Sequence, residues 1–163
     1  MSDQIRSKKI IVNVDDFGMS HAVNLGILEC CKAGTISSAT MLVNRPSSAE
    51  AAVFAKECPE LGVGLHFNLT LGRPISDRSK VSSLVNADGA FFVSRSLKKR
   101  WLCGKVDSDE VSLELQAQFE KLISFGMSPS HIDGHDHIHM FPVVFDALAA
   151  FCERMNLPMR IPW

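Results

Sequence analysis

The sequence has no long run of charge of one sign. Its 163 residues include 17 basic and 18 acidic side chains, which leaves a formal net charge of −1 at pH 7. Proteins that hold nucleic acids or anionic membranes use clustered basic side chains, and Lys98, Lys99 and Arg100 form only a small local patch. The charge pattern therefore argues against nucleic acid and membrane surfaces as main partners.

Long apolar runs are missing too. The N-terminal segment MSDQIRSKK leads into a short apolar run that Asn13 and Asp15 interrupt. That run is too short to cross a bilayer, and it lacks the cleavage pattern of a secretory signal peptide. We therefore expect neither a membrane anchor nor a leader in this segment.

The cysteines show no pairing pattern. The five cysteines are an odd number without a C-x-x-C pair; they are Cys30, Cys31, Cys58, Cys103 and Cys152. The side chains of the adjacent Cys30 and Cys31 diverge if this segment is a helix. Unpaired thiols of this kind are typical of cytoplasmic proteins, so we expect all five to be reduced and mostly buried.

What is present is the composition of an ordinary packed domain. Hydrophobic residues make up 46% of the chain and charged residues 21%, as in soluble proteins with one apolar core. A chain of this length usually forms one domain. We therefore expect residues 1–163 to form a single domain.

Strand-like runs alternate with helical stripes along the chain. Apolar, β-branched runs predict strands at 9–16, 38–44 and 62–69, and the start of a fifth at 159–162. Period-two spacing of the histidines predicts a further strand at 131–140. Helices are predicted from Ser20 to Ala33, after Pro46, from Asp107 to Phe125 and after Pro142. The pairs Ser47/Glu50 and Asp107/Glu110 have the spacing of capping boxes.

This alternation favours an α/β fold with a parallel sheet and right-handed crossovers. A full eight-stranded (β/α) barrel takes about 250 residues, so the chain supplies a little over half of one. We expect a barrel-like arrangement that is distorted and incomplete. Residues 70–106 are irregular and predict an inserted loop or lid, with a hairpin near 87–93 and Trp101 packed at its base.

Four of the six histidines lie in the stretch HIDGHDHIHM, residues 131–140. They are His131, His135, His137 and His139, and Asp133 shares their odd numbering. In an extended backbone all five side chains face one way, which suits a metal or a proton relay. At ~3.3 Å per residue the outer two histidines lie roughly 26 Å apart, so one ion takes only one or two of them.

Three predicted strands bring acidic or imidazole side chains to one rim. Asp15 and Asp16 end the first strand, His66 lies near the end of the third, and His135 follows in the histidine stretch. A carboxylate with two imidazoles makes a metal site that lowers the pKa of bound water from ~15.7 towards ~7. Of two adjacent carboxylates, one then serves as a ligand and the other as a base.

A rival ligand pair is His135 with His137. These residues stand two apart on one predicted face, roughly 6.6 Å apart along an extended strand, and that pair could also chelate an ion. The residues alone leave the choice between the two sites open.

Three segments resemble one known family. NVDDFG (13–18), GLHFNLT (64–70) and HIDGHDHIHMFP (131–142) are similar to the signature segments of the YdjC-like carbohydrate deacetylases, which include the chitooligosaccharide deacetylases. LVN at 42–44 and RIP at 160–162 also fit in order and spacing. The resemblance covers nearly the whole chain.

This resemblance implies a divalent-metal hydrolase, a carbohydrate N-deacetylase that removes acetyl groups from N-acetylated sugars or oligosaccharides. The implied metal ligands are Asp16, His66 and His135, and Asp15 is the implied base. The family is commonly assigned Mg²⁺, while two imidazoles favour Zn²⁺ on ligand softness.

Other roles implied for the site are less specific. His137, His139 and a residue beyond position 163 are the candidates for the acid that protonates the leaving amine, and Arg160 is a candidate substrate contact. The family often has a further histidine where this chain has Asp136, so no role is carried over to that position.

The chain also departs from the family in length, since members usually continue well beyond RIP. Three explanations are open: a fragment, a natural truncation, or a homo-oligomer in which a second copy completes the barrel. Two rival functions follow from the same residues. One is a metal-dependent phosphoesterase, which needs a second metal and Arg or Lys at the site. The other is an incomplete, catalytically incompetent barrel that binds sugar or self-associates through its open edge.

Overall fold

The computed structural model describes residues 9–161. The helices and strands in this range are β1 (Asn13–Phe17), α1 (His21–Lys32), β2 (Ser38–Met41), α2 (Ser48–Lys56), β3 (Gly62–Phe67), α3 (Ser94–Leu102), α4 (Ser108–Ser124), β4 (Ile132–Gly134) and α5 (Pro142–Met155). Short 3₁₀ turns span Arg78–Lys80 and His135–Met140. The expectations for the N-terminal eight residues and for Pro162 lie outside the described residues.

The four strands form one parallel sheet in the order β1-β2-β3-β4. Neighbours in sequence are neighbours in space, as in a (β/α) barrel, whereas a doubly wound sheet reverses its strand order at a switch point. The predicted α/β class is thus confirmed, and within residues 9–161 the sheet does not close into a barrel. The expected fifth strand is reduced to one parallel bridge between Met159 and Ile132.

The two faces of this sheet differ sharply in polarity. One face carries apolar side chains that pack against the helices: Val14, Phe17, Ala39, Met41, Val63, Leu65, Phe67 and Ile132. The other face carries polar side chains and two glycines: Asn13, Asp15, Ser38, Thr40, Gly62, Gly64, His66 and Asp133. Period-two alternation along each strand produces this division, and it places the chemistry-bearing side chains on one side.

Most helix starts follow their sequence signals. Ser20 caps α1 by accepting a hydrogen bond from the Val23 N–H. Asp107 caps α4 by accepting hydrogen bonds from the N–H groups of Asp109 and Glu110. Pro142 occupies the first turn of α5, where its missing N–H is not needed.

The reciprocal capping boxes are wrong. Ser47 makes no side-chain cap to α2, and the Glu50 carboxylate instead binds His21 and Asn24 of α1. Glu110 accepts a hydrogen bond from the Ser83 N–H at 2.7 Å, so it ties α4 to the irregular segment. In both cases a tertiary partner replaces the local backbone partner.

Residues 70–106 contain a helix that the sequence did not suggest. α3 buries Leu97 and presents four basic side chains. The predicted hairpin is reduced to one antiparallel bridge between Val85 and Phe91. Trp101 stacks on Phe141 with ring centroids 5.8 Å apart, so α3 leans on the segment that follows the histidines.

The predicted histidine strand is wrong beyond Gly134. β4 covers only Ile132–Gly134, and the chain then turns through a 3₁₀ segment in which Asp136 and His137 have φ of 53° and 52°. Two successive residues with positive φ break the period-two alternation. The four histidines consequently do not share one face.

Other strand boundaries also differ from those predicted. β1 begins at Asn13 rather than Lys9, and Ile10 and Ile11 are 83% and 77% exposed. β2 and β3 end at Met41 and Phe67, earlier than the apolar runs suggested. None of the helices between residues 9 and 161 has both the length and the hydropathy of a membrane span.

Candidate metal centre

The end of β1 contains a bulge that presents two adjacent carboxylates. Val14 pairs with Ala39 and Phe17 pairs with Met41, so Asp15 and Asp16 together oppose a single residue of β2. Asp16 has φ 67°, a left-handed conformation that aspartate tolerates better than most residues. The bulge turns both carboxylates to the same rim, where both line one pocket.

Three ligand-type atoms from three segments meet at this rim. Asp16 Oδ1 lies 2.9 Å from His135 Nδ1 and 3.3 Å from His66 Nε2. The two imidazole nitrogens are themselves 3.3 Å apart. The structure therefore brings together the three residues that the resemblance implied as metal ligands.

The spacing of these atoms fits one cation. Ligands at about 2.0–2.1 Å from an ion are about 3.0 Å apart in octahedral and about 3.4 Å apart in tetrahedral geometry. Asp16 Oδ1 is buried, yet no donor is directed at it in hydrogen-bond geometry. The His135 and His66 imidazoles hold the pKa of Asp16 below its usual range. An anionic oxygen and two converging nitrogens are suited to a divalent metal.

A buried carboxylate orients His66 from behind. Asp133 is fully buried and its Oδ1 lies 2.6 Å from His66 Nδ1, while its Oδ2 accepts a hydrogen bond from Thr40 at 3.2 Å. Burial alone would lower the pKa of His66, but Asp133 and then Asp16 outweigh burial and raise it to about 9. A carboxylate on the far nitrogen is the usual support of a metal-binding histidine.

Arg160 holds the second carboxylate of the bulge. Its guanidinium donates two hydrogen bonds to Asp15, at 2.7 and 2.9 Å, and also lies 3.2 Å from Asp133. Partial burial raises the pKa of Asp15, but the hydrogen bonds from Arg160 and the nearby His66 bring it below its usual value. Arg160, expected to contact substrate, is here committed to two carboxylates of the site.

The remaining histidines occupy three different environments. His137 is exposed and lines the pocket. His139 is fully buried, neither ring nitrogen has a hydrogen-bond partner, and it does not line the pocket. His131 lies at the other end of β4, where it bonds Ser130 and Asn13. Among the described residues His137 joins no group of three or more converging ligand atoms, and the rival pair His135 and His137 stays a prediction.

Several supporting residues were missed by sequence reasoning. Thr70 donates a 2.8 Å hydrogen bond to Asp136, which fixes the backbone between His135 and His137. Asp133 lies directly opposite His66 in the pairing of β3 with β4. The motifs HIDGH and GLHF predict that pairing only when the register of the two strands is known.

The pocket over this centre has a volume of about 380 Å³. It is lined by Asp15, Asp16, His66, Ser94, Gly134, His135, Asp136 and His137. This volume is in the range of small-molecule sites, and the lining contains no lysine or arginine. Ser94 begins α3, so the irregular segment 70–106 supplies one wall.

The chain is similar to known proteins over most of its length. The profile of a family described as YdjC-like protein matches residues 9–163, which include every residue of the centre. The chain belongs to the YdjC-like family.

Named relatives of this YdjC-like chain include two curated bacterial enzymes. It is 47% identical over 150 residues to a carbohydrate deacetylase of Geobacillus stearothermophilus, which covers 92% of the chain and 58% of that protein. It is 40% identical over 158 residues to a chitooligosaccharide deacetylase of Proteus mirabilis, which covers 93% and 58%. The chain thus spans less than two thirds of these relatives.

One solved structure shares the fold closely. It is an Enterococcus faecalis protein described as a candidate cellobiose-phosphate cleavage protein, with a TM-score of 0.85 and 35% sequence identity. The match covers 93% of this chain and 57% of that one.

Proposed function

We propose that this site removes acetyl groups from N-acetylated sugars or oligosaccharides in a metal-dependent hydrolysis. The observation that carries the proposal is the convergence of Asp16, His66 and His135 on one point, with a further carboxylate, Asp15, beside them. The names of the relatives, carbohydrate and chitooligosaccharide deacetylase, support the sugar substrate and the reaction.

Asp16, His66 and His135 would hold the metal. When bound, the metal supplies Lewis acidity towards a carbonyl oxygen and towards water. The donor set of one oxygen and two nitrogens accepts Zn²⁺ readily, and by family resemblance the site would also take Mg²⁺. Asp133 keeps the His66 ring oriented for this task, because it fixes the Nδ1 side of the ring.

Asp15 is the proposed general base. It lies next to the ligand Asp16, faces the pocket and is held in one orientation by two hydrogen bonds from Arg160. Arg160 keeps the carboxylate ionised at neutral pH, so it is ready to accept the proton of a water that attacks the acetamide carbon. In this proposal Arg160 is a positioning residue.

His137 is the proposed acid for the leaving amine. It is exposed to the pocket, whereas His139 is buried away from it. Histidine is the side chain that most often acts as a general acid in enzymes. We also propose a cytoplasmic location, because an odd number of cysteines without a C-x-x-C pair is typical of reduced thiols.

A phosphoesterase is supported less well at this site. The pocket lining lacks arginine and lysine, the side chains that usually stabilise transferred phosphoryl groups. The second acidic group near His66 consists of Asp15 and Asp133. The Arg160 guanidinium lies beside both carboxylates, and His66 binds the other oxygen of Asp133. A positive charge already beside this group disfavours a second metal there.

The proposal is tested by measuring acetate release from N-acetylglucosamine oligomers with the metal-loaded chain, alongside release of phosphate from sugar phosphates. We expect acetate and no phosphate. His66→Ala and His135→Ala should each lower bound metal, measured by elemental analysis, and abolish acetate release, because each removes one of three ligands.

His21→Ala is the matched control, since His21 is exposed on α1 and does not line the pocket. It should keep both metal and activity. Unchanged metal content in both ligand variants, or phosphate release in place of acetate release, would overturn the proposal.

A further inference from the structure

A second cluster of metal-ligating side chains lies at the other end of the sheet. Cys31 is in the last turn of α1, and Cys58 directly follows the C-terminal cap of α2. Helices that connect parallel strands run back towards the amino-terminal rim, so both cysteines lie opposite the pocket. Glu60 follows Cys58 in a turn closed by a 3.0 Å hydrogen bond from the Leu61 N–H to the Cys58 carbonyl.

The three side chains point at one another. The Cys31 and Cys58 sulfurs and a Glu60 carboxylate oxygen all lie within 4.8 Å of one another. The Cys31 Sγ to Glu60 Oε1 distance is 3.9 Å. Both thiols are nearly fully buried, whereas Glu60 is exposed and closes the cluster on its solvent side.

We propose that Cys31, Cys58 and Glu60 form a second cation site, selective for a thiophilic divalent metal such as Zn²⁺. Two thiolates and one carboxylate are an accepted zinc donor set, and the exposed side leaves room for a water as fourth ligand. With zinc–sulfur bonds of about 2.3 Å the two sulfurs stand about 3.8 Å apart. The cluster needs only a small contraction to reach that geometry.

A cation at this position would have to displace the proton of the Cys31 thiol. Burial, followed by the neighbouring Cys58 and Glu60, raises the pKa of Cys31 to about 12. These neighbours therefore oppose ionisation of Cys31 while no positive charge lies between them. Lys32, the lysine beside the cluster, binds Glu57 at 2.7 Å. A divalent ion would relieve this repulsion and release the thiol protons as it binds.

Ligand softness separates the two centres of the chain. Sulfur ligands select zinc and exclude Mg²⁺, which prefers oxygen. The centre at Asp16 has only oxygen and nitrogen donors, so thiolate spectroscopy reports on the cysteine cluster alone.

Cobalt titration of the reduced 163-residue protein tests the inference, because Co²⁺ bound by thiolates gains a charge-transfer absorption in the near ultraviolet. We expect this band in the wild type and its loss in Cys58→Ser. Cys152→Ser is the matched control, since Cys152 is another buried free cysteine outside the cluster. It should keep the band.

Two further measurements cover the case in which Cys58→Ser fails to fold. Glu60→Gln changes an exposed side chain and should weaken cobalt binding by roughly tenfold or more, because an anionic ligand becomes neutral. In the wild type, apparent affinity should rise by up to about a hundredfold per pH unit near neutrality, because two thiol protons are released.

Zinc stoichiometry distinguishes this inference from the proposed function. We expect two zinc ions per wild-type chain, one in His66→Ala with the cobalt thiolate band intact, and one in Cys58→Ser with acetate release intact. No thiolate band at saturating cobalt, or a band unchanged in both Cys58→Ser and Glu60→Gln, would overturn the cysteine site and leave the deacetylase proposal standing.

Discussion

At the scale of single residues, the site contains three carboxylates that differ in their neighbouring side chains. Asp16 faces two imidazoles, Asp15 faces a guanidinium, and Asp133 faces both Arg160 and His66. In the proposed function the same side-chain type serves as a ligand, as a base and as an orienting group. Substitutions at the three positions should therefore affect different properties of the protein.

Asp15→Asn should separate binding of the metal from catalysis. The amide keeps the shape of the side chain but cannot take a proton, so acetate release should fall by about 10²–10⁴-fold. Bound metal, measured by elemental analysis, should stay at the wild-type level, while Asp16→Asn should lose it. Acetate release at the wild-type rate from Asp15→Asn would remove Asp15 from the role of base.

Asp133→Asn should change how stability depends on pH in the metal-free chain. The pKa of His66 is raised from 6.5 to about 9 in the folded state, so its contribution is fully present below pH 6.5 and is lost as pH rises through 9. This shift corresponds to roughly 3 kcal/mol at most. The free energy of unfolding in urea, with a chelator present, should fall over this range in the wild type.

The asparagine variant should show a smaller fall, because an amide does not stabilise the imidazolium ion. NMR titration of the His66 ring should give a lower pKa in the variant. Equal pH slopes in both proteins would show that Asp133 does not hold the proton on His66.

Sequence reasoning found the three side chains that converge and missed the residues that support them, for a physical reason. Asp16, His66 and His135 stand in recognisable motifs. The pairing of Asp133 with His66 and of Arg160 with Asp15 depends on strand register and on contacts 67 and 145 residues apart in the chain. Local patterns contain no such long-range information.

At the scale of elements, glycine lets the polar face of the sheet hold a histidine. A Cβ at Gly64 would lie 2.6 Å from the His131 ring and 2.7 Å from its carbonyl oxygen. The His131 ring occupies the space that a side chain on β3 would take. It there bonds Asn13, so the layer below the metal centre is polar as well.

Gly64→Ala should therefore destabilise the chain by about 1–3 kcal/mol through overpacking, measured as the free energy of unfolding in urea. Gly26→Ala is the matched control, because Gly26 lies within α1 and an added Cβ meets no atom within 4 Å. That change should stabilise the helix by about 0.5–1 kcal/mol. Equal effects of the two substitutions would contradict the crowding at Gly64.

Helix ends were predicted better than strand ends. Caps such as Ser20 and Asp107 form hydrogen bonds to backbone N–H groups a few residues away, so the local sequence predicts them. The ladder of β4 stops at Gly134 because the backbone then turns through positive φ at Asp136, which Thr70 secures from another segment. Nothing within HIDGHDHIHM itself marks that turn.

At the scale of the whole molecule, alternation of strands and helices was enough to predict the parallel sheet. α3 escaped prediction because SRSLKKRWL buries only Leu97 and therefore shows no apolar stripe. The position of this helix against the pocket depends on Trp101 stacking on Phe141, a contact between distant segments. The expected role of residues 70–106 as a lid stays a prediction.

The open sheet should make the chain self-associate. β1 stands at one end of the strand order, and the adjoining Ile10 and Ile11 are mostly exposed. Unpaired strand edges beside apolar side chains recruit further chains. We expect the sedimentation coefficient to rise with protein concentration, and Ile11→Asp to reduce that rise.

Val53→Asp is the control for this experiment, since Val53 is exposed on α2 rather than beside β1. It should leave the concentration dependence unchanged. A single species with a constant, low sedimentation coefficient at every concentration of the wild type would rule out association through this edge.

The irregular corner of β1 has a consequence for how this chain can vary. Two consecutive positions in a regular strand face opposite sides, and only the extra residue beside Thr40 lets both acidic groups reach the mouth of the site. Spacing there is as critical as chemistry. Inserting or deleting one residue next to Asp16 should be as damaging as replacing either acid, even where every functional group is retained.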